Sequence, residues 1–256
     1  MPGEISLAHN GVLFLDEFPE FPRQVLEVMR QPIEDRVITV SRAKYTVDYP
    51  ASFMLVASMN PCPCGYYGHP TRRCTCMPNQ VQKYMSKISG PLMDRIDIQV
   101  EIEPVEFDDM ANRAPSESSS EIRKRVMAAR DIQRERFKDL PGIHCNAQMS
   151  GRQLRQFAWP DEAGLKKLKD RMTKLNMSAR AFDRILRVAR TIADLESATT
   201  LPSRSASNSS EPNGSPSAEY MAALSAAVSA PVEARHIAEA IGYRALDRPQ
   251  TFGITF

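Results

Sequence analysis

The segment that most constrains the fold is Gly11–Glu17, an apolar run, GVLFL, that ends in two adjacent carboxylates, Asp16 and Glu17. Its continuous apolar character is typical of a parallel strand that is buried on both faces. Ligands of open α/β sheets bind at the carboxyl ends of such strands. Two acids there suit nucleoside triphosphate hydrolysis, because one can hold Mg²⁺ through water while the other activates the attacking water. The segment therefore predicts a Walker B strand.

The loop that normally accompanies such a strand is missing from the sequence. No Gly-x-x-x-x-Gly-Lys-Ser/Thr motif occurs in the 256 residues. That loop cradles the phosphates with backbone N–H groups and a lysine. We therefore expect the chain to be part of a larger nucleotide-binding domain, as a truncated gene product or an expression fragment, and we expect it not to hydrolyse ATP alone.

Charge and cysteine content narrow the class of protein. The formal net charge is +2, so any nucleic-acid-binding surface must be local. No apolar run reaches the about 20 residues of a membrane span, and no signal peptide precedes the first strand. We expect a soluble, cytoplasmic protein that does not engage a membrane. Four of the five cysteines lie between Cys62 and Cys76, and in a reducing compartment this clustering favours a metal site over disulfides.

Local patterning predicts further α/β elements in the first hundred residues and helices after them. The first part is expected to hold a helix at 25–29, hairpin strands at 37–40 and 45–47, a buried strand at 53–58, a polar helix near 81–89 and a closing strand at 98–102. Amphipathic patterns then predict helices at 121–137, 165–175, 182–193 and 232–245, with Asp161 and Ser178 as N-caps. The Ser/Pro/Asn/Gly-rich stretch Ser203–Ser217 predicts a flexible loop.

Four ordered segments carry a resemblance to a known family: Pro2–Glu17, Ser58–Gly65, Ser89–Asp97 and Ser178–Leu195. Together they resemble the magnesium-chelatase-like AAA+ ATPases, particularly the ComM/YifB branch. The resemblance covers nearly the whole chain except an insert between Ala198 and about Pro231. Members of this branch carry an N-terminal Lon-protease-like domain and a Walker A loop upstream, and this sequence contains neither.

The resemblance implies a fold class of α/β plus all-α. We expect a partial AAA+ core with a parallel, three-layer sheet over residues 1–110. A helical lid of the magnesium-chelatase C-terminal type would follow over 111–256, with a disordered Ser-rich insert at about 198–231.

The same resemblance implies a role for each matching residue. Asp16 would bind Mg²⁺ through water, and Glu17 would be the catalytic base. Asn60 would be sensor 1, which positions water near the γ-phosphate. Arg95 would be the arginine finger for the neighbouring subunit's nucleotide, and Arg180 would be sensor 2, in contact with the γ-phosphate. These roles require a ring of identical subunits, expected to be a hexamer, with ATP and Mg²⁺ as cofactors.

Plainer interpretations of these residues stay open at this point. The Asp-Glu pair is also found at ordinary strand ends and helix caps. Asn60 precedes a proline, and this dipeptide commonly starts a turn. Arg95 lies between acidic residues that suit a surface ion pair. Arg184 and Arg187 lie on the same helix as Arg180 and compete with it for the sensor role.

The cysteine-rich segment predicts a structural zinc site. Its ligands would be Cys62, Cys64, Cys74 and Cys76, since four thiolates close a tetrahedral site and leave no open position for catalysis. The Cys-x-Cys spacing is less specific than Cys-x-x-Cys, and His69 is an alternative ligand. Four reduced thiols in a loop are the plain alternative, which is disfavoured because free cysteines prefer burial and this segment is polar.

A basic hairpin tip is the predicted DNA contact. Arg42 and Lys44 at the tip, with Arg36 at the base, could bind phosphates in a central pore, although so few charges also suit a solvated turn. The expected activity is that of a DNA helicase or branch-migration motor in recombination or transformation. One alternative is a chelatase-type ATPase that remodels a protein partner. The other is a catalytically inactive, zinc-stabilised interaction module.

Overall fold

The computed structural model describes residues 3–42, 45–105, 116–175, 177–202 and 217–244, and they fall into two compact units. The first unit contains the described residues up to Ile96, and the second begins at Asp97. The predicted domain boundary at 110 lies among residues outside the described ranges and stays a prediction. Within the described ranges, no helix combines the length and the apolar character needed to cross a bilayer.

The first unit combines strands and short helices, as predicted. Its strands are β1 (Val12–Leu15), β2 (Val37–Arg42), β3 (Tyr45–Pro50) and β4 (Met54–Ala57), and its helices are α1 (Glu4–Leu7), α2 (Arg23–Val28), α3 (Arg30–Asp35), α4 (Pro78–Met85) and α5 (Gly90–Met93). Strands β1 and β4 pair in parallel, with Val12 opposite Met54 and Leu15 opposite Ala57. Because they are parallel, their carboxyl ends meet at one edge.

Strand β1 forms where the sequence predicts it, but its burial differs from the prediction. Leu13 and Leu15 pack against a core that includes Phe18 and Leu26. On the opposite face, Val12 and Phe14 are each 59 % exposed. The expectation of burial on both faces is therefore wrong for this chain, because only one face of the β1–β4 pair is covered by described residues.

The predicted hairpin is confirmed. Strands β2 and β3 are antiparallel, from Val37 opposite Pro50 to Arg42 opposite Tyr45. Polar side chains join the two strands on one face: Thr39 Oγ1 donates to Asp48 Oδ1 at 2.6 Å. Residues 43 and 44 at the turn, and with them the predicted DNA contact Lys44, lie outside the described residues.

The second unit is helical, which confirms the predicted all-α part. Its helices are α6 (Ser119–Phe137), α7 (Gly151–Phe157), α8 (Glu162–Leu175), α9 (Ala179–Ala198), α10 (Ala218–Val228) and α11 (Ala234–Gly242). Both predicted N-caps form: Asp161 Oδ1 accepts the N–H of Gly164 at 2.7 Å, and Ser178 Oγ accepts the N–H of Ala181 at 3.2 Å. The apolar faces of α7, α8, α9 and α11 meet in one core around Leu154, Leu168, Ile185, Leu186 and Ile237.

The predicted third strand at 98–102 is wrong. Within this segment only Gln99 makes a β-type bridge, which is parallel and pairs with Arg244 of the second unit. The three β-branched side chains that suggested a strand, Ile98, Val100 and Ile102, are exposed by 51, 65 and 86 %. A strand pattern needs a neighbouring edge to pair with, and among the described residues this segment has none beyond that single bridge.

The predicted disordered insert, at about 198–231, includes residues that are helical in the structure. Residues 203–216 lie outside the described residues, but helix α10 occupies part of the predicted range 198–231. Ser217 caps α10 by accepting the N–H of Tyr220 at 3.1 Å. The apolar face of α10, Tyr220 and Leu224, packs against Ile132 of α6. Burial of this face is what makes the segment helical.

A buried charge network locks α6 against α9. The Asp194 carboxylate receives the Arg136 guanidinium in a bidentate pair, at 2.7 and 2.6 Å, and Arg190 Nε at 3.0 Å. Asn146 Nδ2 donates to the same carboxylate at 2.7 Å. The side chains of Arg136 and Asp194 are fully buried and that of Arg190 nearly so. The network holds α9, the helix whose first turn carries the predicted sensor residue Arg180.

Candidate functional site

The predicted catalytic residue Asp16 lies at the carboxyl ends of β1 and β4, where a serine hydroxyl holds its carboxylate in place. Asp16 directly follows β1, and Ser58 directly follows β4. Ser58 Oγ donates a hydrogen bond to Asp16 Oδ1, and the N–H of Glu17 donates to the same oxygen at 3.0 Å. The backbones are tied here as well, since Ser58 N donates to Leu15 O at 3.0 Å and Phe18 N to Ser58 O at 2.9 Å. The Asp16 carboxylate is therefore held in a defined direction.

Sequence reasoning did not assign a role to Ser58. The available signal was its position, because a hydroxyl one residue after a strand that pairs with β1 faces the acid one residue after β1. With one carboxylate oxygen engaged and the side chain exposed, Asp16 suits a cation that keeps most of its water ligands, as Mg²⁺ does.

Glu17 occupies an unusual backbone conformation. Its φ is 50° and its ψ is 45°, in the left-handed region that costs a non-glycine residue about 1–2 kcal/mol. The next residue, Phe18, is 2 % exposed and anchors the short 3₁₀ turn Phe18–Glu20. The Glu17 side chain itself is exposed. The turn thus presents this carboxylate to solvent beside Asp16, as a general base for water requires.

The predicted sensor 1 residue, Asn60, lies two positions beyond Ser58 and is exposed. Its backbone is near Tyr84 of α4, a residue that is 5 % exposed. Burial is the main cause that raises the pKa of Tyr84, the negative charge of Glu20 adds to it, and a backbone hydrogen bond with Asn60 opposes it. Asn60 therefore follows the β4 end on a backbone that α4 supports, and its contact with phosphate stays a prediction.

Arg95 is buried, whereas an arginine finger that reaches a neighbouring subunit is exposed. It is 7 % exposed, and its Nε donates to Glu34 Oε2 at 2.8 Å while NH1 donates to the carbonyl of Pro91 at 2.7 Å. NH2 also contacts the Glu34 carboxylate. The alternative that the sequence left open, an ion pair, is formed here with Glu34 of α3. A role toward a neighbouring subunit requires Arg95 to leave Glu34, and it stays a prediction.

The three candidate sensor 2 arginines on α9 have different surroundings. Arg184 NH1 donates to Asp97 Oδ1 at 2.8 Å, and Arg187 donates from Nε and NH2 to the carbonyl of Met149 at 3.1 and 2.8 Å. Arg180 is exposed in the first turn of the helix. The two competitors thus serve contacts inside the second unit, and the sensor 2 role of Arg180 stays a prediction.

The four clustered cysteines converge on one point, and all are free thiols. Their sulfur atoms lie within 4.8 Å of one another. Cys62 Sγ is 3.4 Å from Cys64 Sγ and 3.7 Å from Cys74 Sγ, and Cys64 and Cys74 are 3.5 Å apart. A tetrahedral zinc ion with Zn–S bonds of about 2.3 Å sets its sulfur atoms about 3.8 Å apart. The donor set, completed by Cys76, therefore fits a structural zinc ion.

The thiols of this cluster differ in acidity. Backbone N–H groups of Tyr66 and Thr75 lower the pKa of Cys64 to about 5, because they stabilise its thiolate. Burial is the main cause that raises the pKa of Cys76 to about 12 and that also raises the pKa of Cys74. Cys64 therefore loses its proton more readily than Cys74 and Cys76, and a metal ion would supply the charge that lets those two lose theirs.

The alternative ligand His69 is not part of the sulfur cluster. Its Nδ1 accepts the N–H groups of Thr71 and Arg72 at 3.2 and 3.1 Å. Among the described residues, the cluster with metal-ligand geometry consists of the four cysteines.

Of the two predicted DNA contacts, Arg42 is the last residue of β2, and Lys44 lies outside the described residues.

Comparison with known proteins assigns both parts of the chain to one family. Residues 1–110 match the family model of magnesium chelatase subunit ChlI, and residues 116–208 match the model of the ChlI C-terminal region. The two matches follow each other in the order of the α/β part and the helical part.

Curated relatives match across nearly all of the chain. The YifB protein of Escherichia coli is 39 % identical over 249 residues, which are 96 % of this chain and 42 % of that protein. The competence protein ComM of Haemophilus influenzae is 36 % identical over 248 residues, 96 % of this chain and 41 % of ComM. The chain thus spans about two fifths of the length of these relatives. On these matches, and with the fold described above, the chain belongs to the magnesium-chelatase-like AAA+ family and is similar to its members YifB and ComM.

Proposed function

We propose that this chain supplies the Walker B acids, the sensors, the arginine finger and the lid of a ring-forming, Mg²⁺-dependent ATPase that moves DNA. The observation that carries the proposal is the oriented Asp16 carboxylate at the joined ends of two parallel strands, with the exposed Glu17 beside it. This is the position at which α/β sheets bind nucleotides. Because the relatives are more than twice as long as the matched region, the activity of the whole protein is part of the proposal.

In the proposed reaction, water attacks the γ-phosphorus of ATP, the bond from this phosphorus to the bridging oxygen of ADP breaks, and Glu17 takes the proton of the water. Asp16 would hold Mg²⁺ through water ligands, and that ion would neutralise charge on the phosphates. Asn60 would orient the attacking water, and Arg180 would contact the γ-phosphate from the lid. Arg95 would act on the nucleotide of an adjacent identical subunit after release from Glu34.

DNA is the proposed substrate because a relative at 36 % identity is a competence protein, and because strand β2 ends at Arg42, with Lys44 two positions further along the sequence. A zinc ion in the cysteine cluster would be structural, since its four positions are filled by thiolates. A second candidate, remodelling of a protein partner, is favoured by the match to a chelatase subunit. Stimulation of hydrolysis by DNA separates the two.

The test measures Mg²⁺-dependent ATP hydrolysis by the 256-residue chain and by a form extended upstream to a Walker A loop, each with and without branched DNA. We expect no turnover by the chain alone, because positioning of the phosphates supplies most of the catalysis. The extended form should be stimulated by DNA. Glu17→Gln should lower its rate about 100-fold or more, as loss of a general base does.

Glu20→Gln is the matched control, because Glu20 is an exposed carboxylate in the same turn and forms an ion pair with Lys87. It should hydrolyse ATP at the wild-type rate. Equal rates for the Glu17 and Glu20 variants would refute the role of Glu17. Hydrolysis that is indifferent to DNA would favour protein remodelling, and an inactive extended form would favour the interaction module.

A further inference from the structure

The segment that carries the cysteines is unusually poor in acidic residues. Residues 49–93, between Asp48 and Asp94, contain no aspartate or glutamate, although the chain has 31 acids in 256 positions, a frequency that corresponds to about five in 45. The same segment has four permanent cations: Arg72, Arg73, Lys83 and Lys87. The balanced net charge of the chain therefore conceals a local basic region around the predicted metal site.

The positive charges of the two lysines are balanced by negative charge in their surroundings. Lys83 and Lys87 line an open cleft of about 640 Å³ together with Cys64 and Cys76. Lys87 Nζ also pairs with Glu20 at 3.0 Å. Four thiolates around one divalent ion carry a net charge of about −2, which cations at this cleft would offset. These lysines therefore need no further ligand.

No such balancing negative charge is found among the described residues for the two arginines. Arg72 and Arg73 are exposed, neither lines the cleft, and neither has a carboxylate partner among the described residues. Instead the Arg72 guanidinium lies against an aromatic ring, with Cζ 5.3 Å from the Tyr66 centroid and NH1 donating to Tyr66 Oη at 2.9 Å. A pair of adjacent exposed arginines that form no ion pair with a carboxylate of the described residues attracts an anion.

The loop that presents these arginines is ordered by its own contacts. The Tyr66 and His69 rings meet edge to face at 5.7 Å, and His69 Nδ1 accepts the N–H of Arg72 at 3.1 Å. The cysteines hold the loop at both ends, since Cys62 and Cys64 precede it and Cys74 follows Arg73 directly. A guanidinium fixed beside an aromatic face is well suited to a nucleic acid, because arginine binds phosphate through paired donors and a tyrosine face can stack with a base.

We propose that this loop, residues 62–76, is a second DNA contact, in which Arg72 and Arg73 bind phosphates of a single strand and the metal-bound cysteines keep the loop in shape. The proposal deepens the DNA motor proposed above and rests on it for the choice of DNA as the polyanion. The proposed contact lies in a part of the first unit that is separate in sequence from the hairpin tip. ATP takes no part in it.

The test is equilibrium binding of a fluorescein-labelled, 20-nucleotide single strand to the zinc-loaded 256-residue chain between 50 and 200 mM salt. We compare wild type with Arg72→Gln/Arg73→Gln. The matched control is Arg152→Gln/Arg155→Gln, which removes two exposed arginines from helix α7 of the second unit. Zinc content and thermal unfolding of each variant show whether the loop is intact.

Each phosphate contact that is lost should lower the slope of log K against log salt by about 0.7. The loop variant should therefore bind with a slope smaller by about 1.4 and with about tenfold lower affinity at 50 mM salt, with its zinc retained. The control should match wild type. Equal slopes for the loop variant and the control would overturn the proposal, as would an absence of binding by the wild-type chain.

Competition identifies the class of polyanion. Unlabelled single strand should displace the probe at far lower charge concentration than polyglutamate does. Equal displacement would overturn the assignment to nucleic acid and indicate an acidic protein partner. The ATPase assay is independent of this one: a loop-dependent slope in a protein that lacks DNA-stimulated hydrolysis would refute the motor and keep the contact, and the reverse result would refute the contact alone.

Discussion

Replacement of Asp194 by asparagine should severely destabilise the helical unit. Asp194 is the single carboxylate that receives both Arg136 and Arg190 in the buried network, and its own side chain is fully inaccessible to water. Burial lowers the pKa of Arg190 while the charge of Asp194 opposes that effect. Both guanidinium groups therefore depend on this one negative charge.

The structure sets the size of the effect. Removing one member of a buried ion pair costs about 3–5 kcal/mol, because the remaining charges stay buried without compensation. Asp194→Asn keeps the shape of the side chain and so isolates the charge. With a slope of about 1–3 kcal/mol per molar urea, the midpoint of unfolding should fall by about 2 M.

Urea unfolding followed by tryptophan fluorescence measures this change. Trp159 is the only tryptophan of the chain, and its ring lies 6.3 Å from that of Phe182 in the same unit, so its emission reports the helical unit. The control is Glu121→Gln, which breaks the exposed pair with Lys124 and should cost about 0.5 kcal/mol or less.

A further variant tests the reasoning directly. The triple change Arg136→Met, Asp194→Leu and Arg190→Met removes all the charges together and should recover most of the lost stability, as apolar replacement of buried ion networks often does. A midpoint for Asp194→Asn within 0.5 M of the Glu121→Gln control, on the scale of about 2 M expected above, would refute the argument.

Three other results follow from the described contacts. The purified chain should hold about one zinc ion, and Cys74→Ser should lose it whereas Cys145→Ser should keep it, as metal analysis by mass spectrometry would show. The hydrogen bond from His236 lowers the pKa of Glu196, so its stabilising contribution is present above pH 4.5 and is lost as pH falls through the lowered pKa. Wild type should exceed Glu196→Gln in free energy of unfolding by up to about 1 kcal/mol at pH 6, since the carboxylate is half-exposed, and this difference should shrink as pH falls below 4.5. Leu168→Ala removes a side chain that is 1 % exposed and should cost about 2–5 kcal/mol in the same urea assay.

The sequence by itself determined the features that depend on near neighbours along the chain. The strand that precedes Asp16, the hairpin and the amphipathic helices follow from periodicity, because each turn or pleat repeats within a few residues. The cysteine cluster also follows from spacing, since both pairs lie within 15 residues of the chain. The helix caps at Asp161 and Ser178 are local for the same reason.

Only the tertiary structure decided which distant groups meet. Ser58 orients Asp16 from 42 residues away, and Glu34 holds Arg95 across 61 residues. The position of Ser58 after a strand shows that it lies at a strand end but not which strand is the neighbour, and Glu34 carries no such signal, because both pairings depend on how strands and helices pack. The segment 98–102 shows the converse: its residues favour a strand, but a strand also requires an adjacent edge, and local preference cannot provide one.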